Sequence, residues 1–261
     1  MAPAALTARI LPMRPMRRAE TAPGALAFDA LGGPLVAICG LTGGAGTSTI
    51  ALQLATQAAQ DSDAPVLLTE QDARRPGLAA ITGSATPRAL AALARELAHE
   101  RPPADAFTEL DHGLRLIAAA RAADLHADPA AVRSLLDEAR TAHGLVVVDC
   151  GTQWGRDDPV LQRATHVIWT VPATATAAMR ATLALDTIAP PTGRAREVLA
   201  AVSVRPGRGV SVRTMRRLSA ARCERLVLVP YDDAVARDAR HISNATSHAL
   251  AAIGAVLRKD A

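Results

Sequence analysis

Seven short apolar runs punctuate this 261-residue chain, and sequence of helical character separates them. The runs are LVAIC (35–39), VLLT (66–69), LRLIA (114–118), LVVVD (145–149), HVIWTV (166–171), EVLAAVSV (197–204) and ERLVLV (224–229). They are continuous rather than alternating, which predicts strands covered on both faces. Thr47 to Gln60 places Ile50, Leu52, Leu54 and Ala58 at helical spacing. Thr86 with Pro87, and Asp128 with Pro129, read as an N-cap followed by proline at the first helical position. Gly144 stops the second of these helices, and further helices are read at 174–188 and near 241–258. Alternation repeated this often predicts an α/β fold: a doubly wound, mainly parallel sheet flanked by helices. PPTGRARE (190–197) and RPGRG (205–209) read as loops within it. Residues 1–32, broken by Pro3, Pro12 and Pro15, read as a disordered arm, and 33–261 as one domain.

Composition narrows the class. The chain is 49% apolar, enough for a sizeable core, yet holds no run of eighteen apolar residues that would predict a membrane span. In the N-terminal stretch the arginines follow the apolar residues, the reverse of a secretory leader. Cys39, Cys150 and Cys223 are far apart and form no CxxC pair, so reduced thiols in a cytoplasmic chain are expected and a zinc site is not. The seven histidines show no ligand spacing. The net charge is only +4, but of 29 basic residues Lys259 alone is lysine. No lysine before residue 259 could serve a site nearer the N-terminus.

That matters because of GLTGGAGTST (40–49), which lies behind the first strand and opens the first helix. A glycine-rich turn at such a junction lets backbone N–H groups face phosphate oxygens, and the helix N-terminus adds favourable partial charge. The usual pattern is GxxxxGK[ST]. Aligned on Gly46, its first glycine falls on Leu41, its lysine on Thr47 and its magnesium-binding hydroxyl on Ser48. The candidate nucleotide-binding residues are therefore Gly43, Gly44, Ala45, Gly46, Thr47, Ser48 and Thr49. Asp149 ends an apolar strand, where a carboxylate would hold magnesium through water, so Ser48 and Asp149 are the metal candidates. Glu70 and Asp72 follow the second strand. In open α/β sheets ligands bind outside the carboxyl ends of the strands, which is where all three sets fall.

These motifs resemble the MinD/ParA class of P-loop ATPases, from about Leu35 to the end. The deviant loop of that class reads KGGxGK[ST]; here it is TGGAGTS, so Thr42 and Thr47 stand at its two lysines. VLLTEQDARRPG is similar to the family's VLLVDADxRRPG, with Glu70 at one Asp and Asp72 at the residue that orients the attacking water. Asp149 matches the Walker B carboxylate. LVLVPYDDAVAR resembles the late segment whose backbone contacts adenine, which puts Pro230 near the base. The resemblance is closest to the CpaE/TadZ-like branch, including actinobacterial proteins found near secretion or pilus genes, whose members often carry degraded loops. It implies ATP and magnesium as weakened ligands, a homodimer that sandwiches nucleotide, and protein partners that read the dimer.

Each lost charge-assisted hydrogen bond costs roughly 1.5–3 kcal/mol, so two missing lysines remove about two to four decades of affinity if additive. Losing one group that stabilises the transition state costs about 10²–10³ in rate. The expectation is a spatial-organising or scaffolding protein, for a pilus or secretion apparatus, with weak or no ATP hydrolysis. The first alternative is a working ATPase in which Arg74 or Arg75 replaces the lysines, since arginine pairs phosphate well. The second is a nucleoid-binding, partition-like protein that uses Arg213, Arg216 and Arg217, with Arg222 and Arg225 nearby, on DNA phosphates. Leu250, Ile253 and Leu257 form a stripe in the last helix, read as docked on the sheet rather than on a membrane. Trp154, just past Asp149, reads as ordinary packing.

Overall fold

Strand β1 (Leu35–Gly40) is buried along all six residues and lies between β5 (Leu145–Gly151) and β6 (His166–Pro172). The computed structural model describes residues 26–28, 30–71, 77–97, 106–118, 127–187, 195–204, 212–220 and 222–258. Outward from the centre lie β2 (Val66–Glu70), β4 (Leu114–Ile117) and β3 (Thr108–Glu109) on one side, and β7 (Arg196–Val202) and β8 (Arg225–Val229) on the other. The order is β3-β4-β2-β5-β1-β6-β7-β8. Every pairing is parallel except β3 with β4.

The continuous apolar runs have their cause in two separate cores, one on each face. Leu35, Ala37 and Cys39 of β1 join Val146, Val148 and Cys150 of β5 in one core, under α3 (Leu90–Leu97), α4 (Pro129–Ala142), α5 (Pro159–Arg163), α6 (Ala175–Thr187) and α7 (Val212–Ala220). Val36 and Ile38 join Leu145 and Val147 in the other, under α1 (Thr47–Asp61), α2 (Gly77–Thr82) and α9 (Asn244–Leu257). Successive strand residues point to opposite faces, so both must be apolar when both faces are covered.

All seven predicted strands form. The missed strand, β3, has two residues and lies at the sheet edge, too short for a periodic signal. Asp128 caps α4 as read, accepting from the Ala130 N–H at 3.0 Å with Pro129 in the first turn. Thr86 does not cap a helix. Its N–H donates to Ala118 O at 2.8 Å and its hydroxyl accepts from the Ala118 N–H at 3.1 Å, so it extends the edge beside β4, and α3 starts only at Leu90. The last helix begins at Asn244, where Ser243 accepts from the Thr246 N–H, rather than near 241.

The packed chain begins ahead of residue 33. Leu26 is fully buried and Phe28 nearly so, both in the core beneath α1 and α9. The Leu26 N–H donates to Asp61 Oδ2 at 2.7 Å, and the Phe28 N–H to Ser62 Oγ at 2.8 Å. A methyl group on Gly254 of α9 would overlap the Leu26 side chain. Residues 26–28 of the stretch read as an arm are thus seated in the fold; 1–25 lie outside the described residues. Leu250, Ile253 and Leu257 of α9 are fully buried against the sheet, as expected. No helix among the described residues is long and apolar enough to cross a membrane. All three cysteines are free, Cys39 and Cys150 buried and Cys223 half-buried.

Candidate functional site

The carboxyl rim of the sheet gathers most of the residues that the sequence singles out. Gly43, Gly44, Ala45, Gly46, Thr47, Ser48 and Thr49 line one cavity of about 340 Å³ together with Thr42, Glu70 and Asp149. Gly46 sets the turn into α1: its φ of 72° lies in the left-handed region, where a side chain would be strained, and its carbonyl accepts from the Ile50 N–H at 2.8 Å. Among the described residues no side chain caps α1, and its first turn faces the cavity as a helix N-terminus that favours an anion.

Thr47 turns toward the sheet. Its hydroxyl lies 2.9 Å from that of Thr170 on β6, and the pair is buried. A lysine here would reach into the cavity; the threonine is tied to the strand beside β1. The described lining carries two carboxylates, Glu70 and Asp149, and no lysine or arginine. Glu70 is buried and accepts from the Leu78 N–H of α2 at 3.0 Å. Asp149 is buried and accepts from the Gly151 N–H at 3.0 Å.

Ser48 and Asp149 come together under the start of α2. A Cβ built on Gly77 would lie 2.6 Å from Ser48 Oγ and 3.9 Å from Asp149 Oδ2. Among the described residues no group of three or more His, Cys, Asp or Glu forms a metal cage. The donor set, one hydroxyl and one carboxylate beside a phosphate-type loop, fits a hard cation that keeps water and takes its remaining oxygens from a ligand, as magnesium does.

A second cavity of about 230 Å³ adjoins the first and shares Gly44, Gly46 and Thr49 with it. Its walls include Ile50, Val202, Val229 and Pro230, with Gln53, Tyr231 and Asp232 as polar groups. Pro230 therefore lies beside the loop, across a mainly apolar space. Asp232 fixes this wall. It caps α8 (Asp233–Arg237) through the Ala234 N–H at 2.9 Å and accepts from the Ser243 N–H at 2.7 Å and the Thr246 hydroxyl at 2.6 Å. Burial alone would raise its pKa, but these hydrogen bonds outweigh it and hold the carboxyl well below the usual carboxylate range. Gln53 Nε2 donates to Ala239 O on the same side.

Asp72, Arg74 and Arg75 lie outside the described residues. Gln71, just before them, ties their strand end to the rim: its N–H donates to Asp149 O at 2.9 Å and its Nε2 to Asp158 Oδ2 at 2.7 Å. Arg213, Arg216 and Arg217 are all exposed on α7, as one face. Arg222 is not part of that face; it turns inward and pairs with Glu197 at 2.6 Å. Trp154 does more than pack, since its indole N–H donates to Gly40 O at 3.1 Å. The sequence reading missed Gly77, Gln53 and Asp232, which reach the two cavities from distant elements. Asp232 had a local signal in the Asp-Asp pair after Pro230 that marks a cap, and Gly77 in the VLLTEQDARRPG stretch that it ends; Gln53 had none.

No protein-family model matches the sequence, and no curated protein matches it. Solved structures match the fold. A ParA family ATPase from Chlorobium tepidum is 15% identical with a TM-score of 0.63, over 85% of this chain and 91% of that one. The septum site-determining protein MinD from Pyrococcus horikoshii, complexed with Mg-ADP, is 13% identical with a TM-score of 0.64, over 86% of this chain and 95% of that one. A Cyanothece McdA variant in complex with ATP is 14% identical with a TM-score of 0.64, over 87% of this chain and 97% of that one. The eight strands among the described residues, in this order, with helices on both faces and the loop behind β1, give this chain the MinD/ParA-type P-loop NTPase fold.

Proposed function

We propose that the chain is a MinD/ParA-like organising protein: a nucleotide-responsive scaffold, acting as a homodimer, with little or no ATP hydrolysis. One observation carries the reading. The phosphate-type loop, Ser48 and Asp149 share a cavity that opens on a second, apolar one at Pro230, while threonines stand at both lysine positions of the loop. Backbone N–H groups of residues 43–49 would hold the phosphates, and the Pro230 wall the base. Ser48 and Asp149 would support magnesium, whose charge offsets that of the phosphates. With Thr47 bonded to Thr170, no side chain of the described lining supplies the cationic clamp that speeds phosphoryl transfer. Asp72 is the residue that would orient water if hydrolysis occurs. The branch resemblance suggests a pilus or secretion apparatus as the machinery organised.

Titration calorimetry with MgATP, paired with a phosphate-release assay, tests the reading. Binding in the high micromolar to millimolar range with release at background supports it. Turnover that Arg74→Ala or Arg75→Ala lowers tenfold would establish the arginine-assisted ATPase instead. A second reading, retention on nucleoid DNA, is favoured by the exposed face of Arg213, Arg216 and Arg217. It requires salt-sensitive DNA binding that is lost when the three are neutralised.

A further inference from the structure

Gly40, the last residue of β1, is a pinch point. A Cβ there would lie 2.7 Å from Thr47 Oγ1, 3.0 Å from Thr152 Cγ2 and 3.3 Å from Gly151 O, so α1, β1 and the turn after β5 meet without slack. The Gly40 carbonyl accepts the Trp154 indole N–H, and the next residue, Leu41, donates its N–H to Thr170 O at 2.9 Å. Trp154 is half-buried in a turn whose neighbours, Gln153 and Gly155, are exposed. Its ring meets that of Trp169 edge to face, centroids 5.0 Å apart at 64°.

Trp169 is fully buried on β6, and its indole N–H donates to Glu197 Oε2 at 2.6 Å. The same oxygen accepts from Arg222 Nε at 2.6 Å, and the Arg222 guanidinium lies 5.4 Å from the Trp169 ring centroid. Arg222 follows α7 and also donates from Nη1 to Leu185 O in α6 at 3.3 Å. A buried ion pair of this kind costs desolvation that its attraction does not always repay, so it is weak evidence of added stability. Here it locks the Trp169 ring, the surface on which Trp154 rests.

We infer that Trp154, Trp169, Glu197 and Arg222 form a relay that couples the phosphate loop to the outer faces of α6 and α7. Trp154 is its positioning residue at the loop end. Any ligand that resets Leu41–Gly46 shifts the Gly40 carbonyl, and the dense packing around it passes the shift to Trp154 rather than absorbing it. The relay ends at α6, which exposes Met179 and Leu183, and at α7, which packs against α6 and exposes Arg213, Arg216 and Arg217. That the ligand is a nucleotide rests on the function proposed above; the coupling itself does not.

Hydrogen exchange on the full chain, wild type against Trp154→Phe, tests the relay. Phenylalanine keeps an aromatic edge on Trp169 and removes only the N–H donor. Without ligand, the relay predicts about two- to tenfold faster exchange at both 41–46 and 212–220, the range set by one neutral hydrogen bond, with α9 unchanged. Glu197→Gln, which removes the charge at the other end, accelerates exchange in the same two segments. Acceleration confined to 41–46 and the 151–158 turn, or none at all, overturns the inference. A second arm adds MgATP to the wild type. Absent protection at 41–46 counts against the nucleotide reading, while the ligand-free comparison still decides the relay. Protection at 41–46 that never extends to α7 overturns the relay alone.

Discussion

At the scale of single residues, Thr47 stands where the loop pattern has its lysine. Its hydroxyl bonds Thr170 across to β6, a pairing separated by 123 residues that the sequence does not reveal. The glycines, Ser48 and Asp149 were legible because their spacing follows a motif. Gln53 was not, because nothing local marks it and only the fold carries it to the rim; Gly77 closes the VLLTEQDARRPG stretch, but its contact with Ser48 shows only in the fold. Thr47→Lys is predicted to raise MgATP affinity by about 10- to 100-fold, the equivalent of one charge-assisted hydrogen bond. Calorimetry checks it, and unchanged affinity would mean that the missing charge is not what limits binding. Asp232 offers a pH test. Its folded pKa is depressed, so its contribution is fully present above the usual value of about 3.9 and is lost as pH falls below it. Asp232→Asn should therefore lower the thermal midpoint at pH 7 and flatten the acid dependence below about pH 4.

At the scale of elements, apolar patterning located every long strand because burial on both faces leaves a continuous run. It failed where a local signal served another purpose. Thr86 with Pro87 has the form of a helix start, yet Thr86 spends its N–H and hydroxyl on Ala118 at the sheet edge. Leu26 and Phe28 sit behind a proline-broken stretch that reads as unstructured, but α1 and α9 leave a groove that they fill. Leu26→Ala is predicted to cost about 2–5 kcal/mol, as for a fully buried leucine, measured by denaturant unfolding. A change under about 0.5 kcal/mol, the range of surface substitutions, would place the segment outside the cooperative fold.

At the scale of the whole molecule, the sheet order places the ends of β1, β2 and β5 on one rim, and the loops they carry form the larger cavity. A sequence with strands alternating with helices could have been wound in several orders; only the structure shows β5 inserted between β1 and β2, which sets Asp149 beside the loop. The proposed function requires that this frame binds nucleotide without hydrolysing it. Steady-state phosphate release at saturating MgATP, for wild type and Asp72→Ala side by side, tests it most directly. Both are expected to run at the same background rate. Sustained turnover in the wild type that Asp72→Ala abolishes would contradict it.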